Sequence, residues 1–284
     1  MTQPAPRQIV VHHDDIAANH GTHLAFVALC DMGACSSGSV MVPCPWFPES
    51  AALARARPDL DLGVHLTLTA EFESYRWRPL TGVADNGLCD ADGYMWRDVA
   101  SARRADPVAV EAEMRAQIDT ALAAGIDVTH LDSHMGTIMM PEFLDIYLRL
   151  GADYRLPILL PRDVARLQPP GTHSAASVAR YAAACDALAA RGNPDFQSFL
   201  VSPFGKTGPV EALYRAILEQ AAPAGLSWGA FHFDRPGAIE DYAPDAPMRI
   251  AEHDFFLADG ATALLAEMGI EMVGMRPFRE AMRG

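Results

Sequence analysis

The stretch His130-Leu131-Asp132-Ser133-His134 carries an imidazole, a carboxylate and an imidazole at alternating positions. Side chains along a strand alternate faces with a period of two, so in an extended segment these three share one face. Leu131 and Ser133 take the other face. An apolar core has no use for such a row, whereas a metal site or an acid–base site does.

Matching groups stand at three other places. Asp14 and Asp15 follow the apolar run Gln8–His12, His65 lies late in Asp61–Leu68, and His232 lies near the end of Ser227–Phe233. Asp15, His65 and His134 together make one carboxylate and two imidazoles, a facial set that leaves coordination positions open. That mix suits zinc, iron, manganese or cobalt better than magnesium. A metal held this way acts as a Lewis acid and lowers the pKa of its water. Asp14 then stays free to take the proton of that water. His232, once protonated, can donate to a leaving group or stabilise an oxyanion. His130 and Asp132 serve as supports that fix ligand tautomers, or touch substrate.

Each element has a bland alternative. An Asp-Asp pair alone is usually a solvated turn or cap, and a lone strand histidine is usually a satisfied core residue. The coincidence of such groups at four separate strand ends separates this chain from those cases. His12, His13, His20 and His253 read as structural. The methionines read as core, with Met135, Met139 and Met140 as candidate pocket lining.

These groups need a scaffold that brings distant strand ends together. Strand-like runs fall at about 8–12, 39–42, 61–68, 127–133, 156–160, 196–201, 227–233 and 270–273. Helical patterns fall between them, at about 22–31, 49–57, 107–124, 142–150, 174–190, 209–221 and 247–268. Strand–helix alternation of this length predicts an α/β fold, a distorted, TIM-like (β/α) barrel of seven or eight strands in preference to an open doubly wound sheet, with reactive groups at the C-terminal strand ends. One domain over 1–284 is expected, with a long loop insertion at about 70–106. Such loops are usually lids or binding loops, and Trp77 and Trp96 within it are candidates for a sugar-stacking platform. No GxGxxG or GxxxxGK[ST] phosphate loop occurs.

The formal charge of −14 disfavours nucleic acid and anionic membrane as partners. The odd count of five cysteines, at 30, 35, 44, 89 and 185, without a CxxC pair, predicts reduced thiols and a cytoplasmic protein. Residues 1–7 lack the basic and apolar regions of a secretion signal. A homodimer is allowed but not required.

The motifs, taken in order, resemble the YdjC-like, or ChbG-like, carbohydrate deacetylases. Asp14-Asp15 follows the first strand, with Gly21 soon after. Ser39-Val40-Met41-Val42 is similar to the family's Ser-Leu-Met-Val. Leu62-Gly63-Val64-His65-Leu66-Thr67-Leu68 is similar to its Gly-x-His-Leu-x-Leu, and Thr129-His130-Leu131-Asp132-Ser133-His134 to its Thr-His-x-Asp-Ser-His. Phe231-His232-Phe233-Asp234-Arg235-Pro236-Gly237 is a looser form of its His-Pro-Gly segment. The resemblance implies a metal-dependent hydrolase that removes acetyl groups from N-acetylated sugars or amino-sugar oligosaccharides through a metal-bound water. By carry-over, Asp15, His65 and His134 hold one divalent ion, Asp14 is the general base and His232 the acid-side histidine. The family points to magnesium; the ligand chemistry keeps zinc and other transition metals open. There are departures. Ile16-Ala17 replaces the family's Phe-Gly, His23 replaces an asparagine, and Met135-Gly136 stands where further histidines are usual. Alternatives are a metal-containing barrel that binds carbohydrate without turnover, another amide or ester hydrolase, and an epimerase-like barrel enzyme.

Overall fold

The computed structural model describes residues 5–163 and 174–284; the leader-free reading of residues 1–7 lies partly outside them. The first strand, β1 (Arg7–Ile16), is the axis of the sheet. Its apolar residues Ile9, Val10 and Val11 are fully buried. β2 (Ser37–Val40), β3 (Leu62–Leu66) and β4 (Leu131–Ser133) add to one edge in sequence order. β6 (Gly225–Phe231) and then β5 (Phe196–Val201) add to the other. The short β7 (Glu271–Met272) pairs with Gln8 and Ile9, on the edge that β2 takes over from His12 onward. Every pairing is parallel, so each crossover needs a connection over the sheet face, the usual work of a helix.

The helices are α1 (His20–Asp31), α2 (Phe47–Ala56), α3 (Val99–Ala102), α4 (Pro107–Ala123), α5 (Leu144–Tyr154), α6 (Ala175–Ala189), α7 (Val210–Leu218), α8 (Ala246–Leu257), α9 (Gly260–Glu267) and α10 (Arg276–Arg283). Local chemistry sets several starts. Asn19 caps α1 through Gly21 N–H, and Asp106 caps α4 through Val108 N–H with Pro107 in the first turn. The helical pattern expected over 247–268 divides in two, because Asp259 adopts a left-handed φ of 61°.

Among the described residues the sheet curls into a half-barrel, and the closed seven- or eight-stranded barrel expected from the sequence is not seen. The reason lies at residues 156–160. Pro157 has no N–H to give a ladder. The Asn193 side chain takes both backbone groups of Ile158, accepting from its N–H at 2.8 Å and donating to its C=O at 3.1 Å. This segment keeps one bridge to β4, Leu131 to Ile158, and one bond toward β5, Arg162 N–H to Phe196 C=O.

The 70–106 insertion is ordered around buried anchors. Glu113 of α4 accepts the N–H groups of Leu80 and Thr81 at 3.0 and 2.9 Å. Trp77 is buried and donates its indole N–H to Thr69 C=O. Trp96 donates to Gly87 C=O and lies under the Arg104 guanidinium. Trp77 packs edge-on behind His134 at 6.1 Å, and neither ring lines the central cavity. The stacking platform expected from them is therefore not built.

Candidate active site

Consecutive residues of a regular strand point to opposite faces, yet Asp14 and Asp15 both line one cavity. The end of β1 is irregular. Its register against β2 shifts between His13 and Ile16, and Asp15 and Ala17 take φ values of 61° and 81°. A bulge of this kind re-aims side chains at a strand end. His13 stays behind the sheet, its Nε2 against Thr22 C=O.

Asp15, His65 and His134 meet. Asp15 Oδ1 lies 3.0 Å from His134 Nδ1 and 3.4 Å from His65 Nε2, and Oδ2 accepts from Arg249 Nη1 at 2.7 Å. In the ladder His65 pairs with Asp132, which puts His65 Nδ1 2.8 Å from Asp132 Oδ2. His65 Nδ1–H thus donates to Asp132, and its Nε2 is buried without a hydrogen-bond partner. An orphaned imidazole nitrogen beside a carboxylate and a second imidazole fits a cation. Ligand atoms of Asp15, His65 and His134 lie within 4.8 Å of one another, as do two neighbouring sets, Asp14–His65–Asp132 and His12–His130–Asp132.

The electrostatics agree. Burial opposes charge on Asp15, but Arg249 and His134 hold its carboxyl well below the ordinary range. Burial also disfavours charge on His134, but Glu71 and Asp15 raise it to about 9. His65 is raised in the same way by Asp132 and Asp15. The surplus of negative charge that holds protons on these rings would hold a divalent cation in their place. Burial pushes Asp14 up from its usual value, against the pull of His12. It pushes His232 well down, so that ring is neutral near pH 7.

His232 Nε2 stands 3.7 Å from Asp14 Oδ2. Its Nδ1 meets Ser202 Oγ at 2.9 Å, and Ser202 in turn donates to Glu252 of α8. His130 and Asp132 do not touch His134, as supports of that ring would. Asp132 holds His65, its partner in the β3–β4 register, and His130 reaches across the interior to His12 at 2.9 Å. Met135 and Met139 line the cavity, whereas Met140 lies in the core. His23 bonds Ser50, His20 pairs with Glu49 at the surface, and His253 is buried beside Asp254.

Sequence reasoning passed over four contributors. His12, read as structural, holds Asp14 Oδ1 at 2.6 Å; its signal was available, two positions before Asp14 on the same strand face. Glu71, 2.9 Å from His134 Nε2, and Arg249 and Ser202 sit on a loop, a helix and a strand end without a motif.

The cavity measures about 590 Å³. Asp14, Asp15, Asp132, His134 and His232 occupy one side. Apolar side chains, among them Val99, Met135, Met139, Leu159, Phe199, Val201 and Phe204, line it too, with Arg249 of α8 and Glu71 and Asp98 of the insertion. All five cysteines are free. No helix among the described residues is long and apolar enough to cross a membrane.

A solved structure described as a proposed cellobiose-phosphate cleavage protein of Enterococcus faecalis superposes with a TM-score of 0.76 at 18% identity, covering 96% of this chain and 99% of the other. A protein named carbohydrate deacetylase from Thermus thermophilus is 38% identical over 165 residues, 58% of this chain and 57% of that one. One of the same name from Brevibacillus brevis is 32% identical over 154 residues, 54% and 59% of the two chains. The match thus spans somewhat over half the length of these curated relatives. The model of the YdjC-like protein family matches residues 8–267, and the chain belongs to that family.

Proposed function

We propose that this protein hydrolyses the acetamide of an N-acetylated, uncharged sugar, releasing acetate and the free amine. The relatives named carbohydrate deacetylase support the reaction class. The observation that carries it is Asp14, a buried carboxylate on the cavity wall directly beside the Asp15–His65–His134 cluster but outside it. A binding module needs no such spare base.

One divalent ion would be held by Asp15, His65 and His134, where it would polarise the acyl carbonyl and acidify a water. Magnesium follows the resemblance; two imidazole donors suit zinc or manganese better. Asp14 takes the proton from the attacking water, whose oxygen bonds to the carbonyl carbon. The C–N bond then breaks, and the amine leaves with a proton. Because burial keeps His232 neutral, it can deliver only a proton gained during turnover, and Asp14 at 3.7 Å is the source at hand. Ser202 and Glu252 keep its ring facing Asp14. Among the described lining residues the sole Lys or Arg is Arg249, already bound to Asp15 and Asp245. That wall offers no site for a phosphorylated or acidic sugar.

The test is acetate release from a panel of N-acetyl sugars with magnesium, manganese or zinc. Asp14→Asn should lose at least about a hundredfold in kcat while binding the cation with unchanged stoichiometry. Full activity in that variant would remove Asp14 from its role. Absence of acetate from every sugar would favour binding without turnover.

A further inference from the structure

A row of buried hydrogen bonds crosses the interior from the far rim of the sheet to Asp14. Asp61 precedes β3, at the end of the sheet opposite the candidate site. Its Oδ2 accepts the N–H groups of Met275 and Arg276, both at 2.7 Å, at the start of α10. Gly274 makes this approach possible, since a Cβ there would lie 2.7 Å from Asp61 Oδ2. Asp61 Oδ1 accepts the hydroxyl of Thr129. Thr129 Oγ lies 2.9 Å from His130 Nδ1, His130 Nε2 lies 2.9 Å from His12 Nε2, and His12 Nδ1 lies 2.6 Å from Asp14 Oδ1. Thr129, His130 and His12 are fully buried. Trp228 packs against both rings, and Gly63 leaves room for His130, whose ring a Cβ would meet at 2.5 Å.

Each link holds one proton, and the direction is dictated from Asp61. Both Asp61 oxygens act as acceptors, Oδ2 from two backbone N–H groups and Oδ1 from the hydroxyls of Thr129 and, at 3.2 Å, Ser37. Thr129 has a single proton and gives it to Asp61, so its oxygen must accept from His130 Nδ1–H. Burial keeps His130 neutral, its pKa pushed down to about 3, so His130 Nε2 is a lone pair. His12 must then carry a proton on Nε2, and the last proton of the row lies between His12 Nδ1 and Asp14 Oδ1, 2.6 Å apart. We infer that Asp61 sets the tautomers of His130 and His12 through Thr129, which makes this row a positioning device for Asp14. Only the last link, the effect on turnover, rests on the deacetylase reading.

Asp61→Asn inverts the row. Its oxygen would stay on the Met275 and Arg276 N–H groups and its amide would donate to Thr129. Thr129 would then give its proton to His130 Nδ1, which moves the His130 proton to Nε2, makes His12 Nε2 an acceptor and leaves His12 one proton, on Nδ1 facing Asp14. The experiment is 15N NMR of the full chain with labelled histidines, beside acetate-release kinetics. The wild type should show His130 protonated on Nδ1, and Asp61→Asn should show it on Nε2. In that variant kcat should fall at least about tenfold with KM held within about twofold. Thr129→Val, which deletes the relay hydroxyl, should lower kcat likewise, and Thr129→Ser should restore it; these variants carry the test should Asp61→Asn fail to fold. An unchanged His130 tautomer in Asp61→Asn overturns the inference, as does an inverted tautomer with kcat intact. If the wild type releases no acetate from any sugar, the deacetylase reading fails, while the tautomer readout still decides the row.

Discussion

Ala17 is the residue that the backbone suits least. Its φ of 81° lies in the region that L side chains avoid and glycine enters freely. The YdjC-like motif carries glycine after the Asp-Asp-aromatic run, and the structure supplies the reason: this is where the chain turns out of the bulge that aims both aspartates. The left-handed conformation costs an alanine roughly 1–2 kcal/mol. Glycine returns about 0.4–1 kcal/mol of that through its freer unfolded chain. Ala17→Gly should therefore stabilise the protein by about 0.5–1 kcal/mol, read from the midpoint of urea unfolding at constant m. A midpoint that stays put or falls would show that contacts around the methyl group outweigh the backbone term. The same irregularity explains what the sequence hid. Two adjacent carboxylates on one cavity contradict strand alternation, and no non-glycine pair announces a left-handed turn.

At the scale of one element, β1 divides its histidines between two environments. His12 faces the interior with Asp14, and His13 faces α1 and the rings of Phe26 and Phe233. Alternation was legible, so this division could be read in advance; the partners could not, because they come from distant strands. Burial lowers the His13 pKa from 6.5 to about 3. The unfolded chain binds a proton below pH 6.5 that the folded chain refuses. Stability from this group is therefore complete above that pH and is lost as the pH falls toward 3, by up to about 1.4 kcal/mol per unit. His13→Gln keeps a donor for Thr22 C=O but never titrates. Chemical unfolding between pH 7 and 4.5 should show the wild type losing stability more steeply than this variant. Parallel profiles would mean that His13 is protonated in the fold.

The whole molecule reads as a polar floor under an apolar chamber. Hydropathy located most of the strands and helices, though neither α3 nor α10, because period is a local property. It missed the seam at Ile158, since a side chain, Asn193, stands there in place of a strand. It also missed the insertion's share of the wall, with Glu71, Asp98 and Val99. Phe199, Val201, Phe204, Met135 and Met139 suit an apolar group on the sugar more than a further polyhydroxylated ring. Alkyl or aryl glycosides of N-acetylglucosamine, or longer N-acyl chains on it, should thus show about tenfold higher kcat/KM than the parent sugar, and Phe204→Ser should erase the gain. Comparing the two substrate series tells whether the aglycone or the acyl chain occupies the wall; equal values for all would sink the idea. The acidic lining has a consequence of another kind. Under the proposed reaction a neutral amide becomes an ammonium ion inside a chamber bearing Glu71, Asp98, Asp14 and Asp132, with its one arginine already engaged. The product fits the field of the cavity better than the substrate does. That field opposes departure of the amine, so the amino sugar should inhibit its own formation, as product-inhibition kinetics would show.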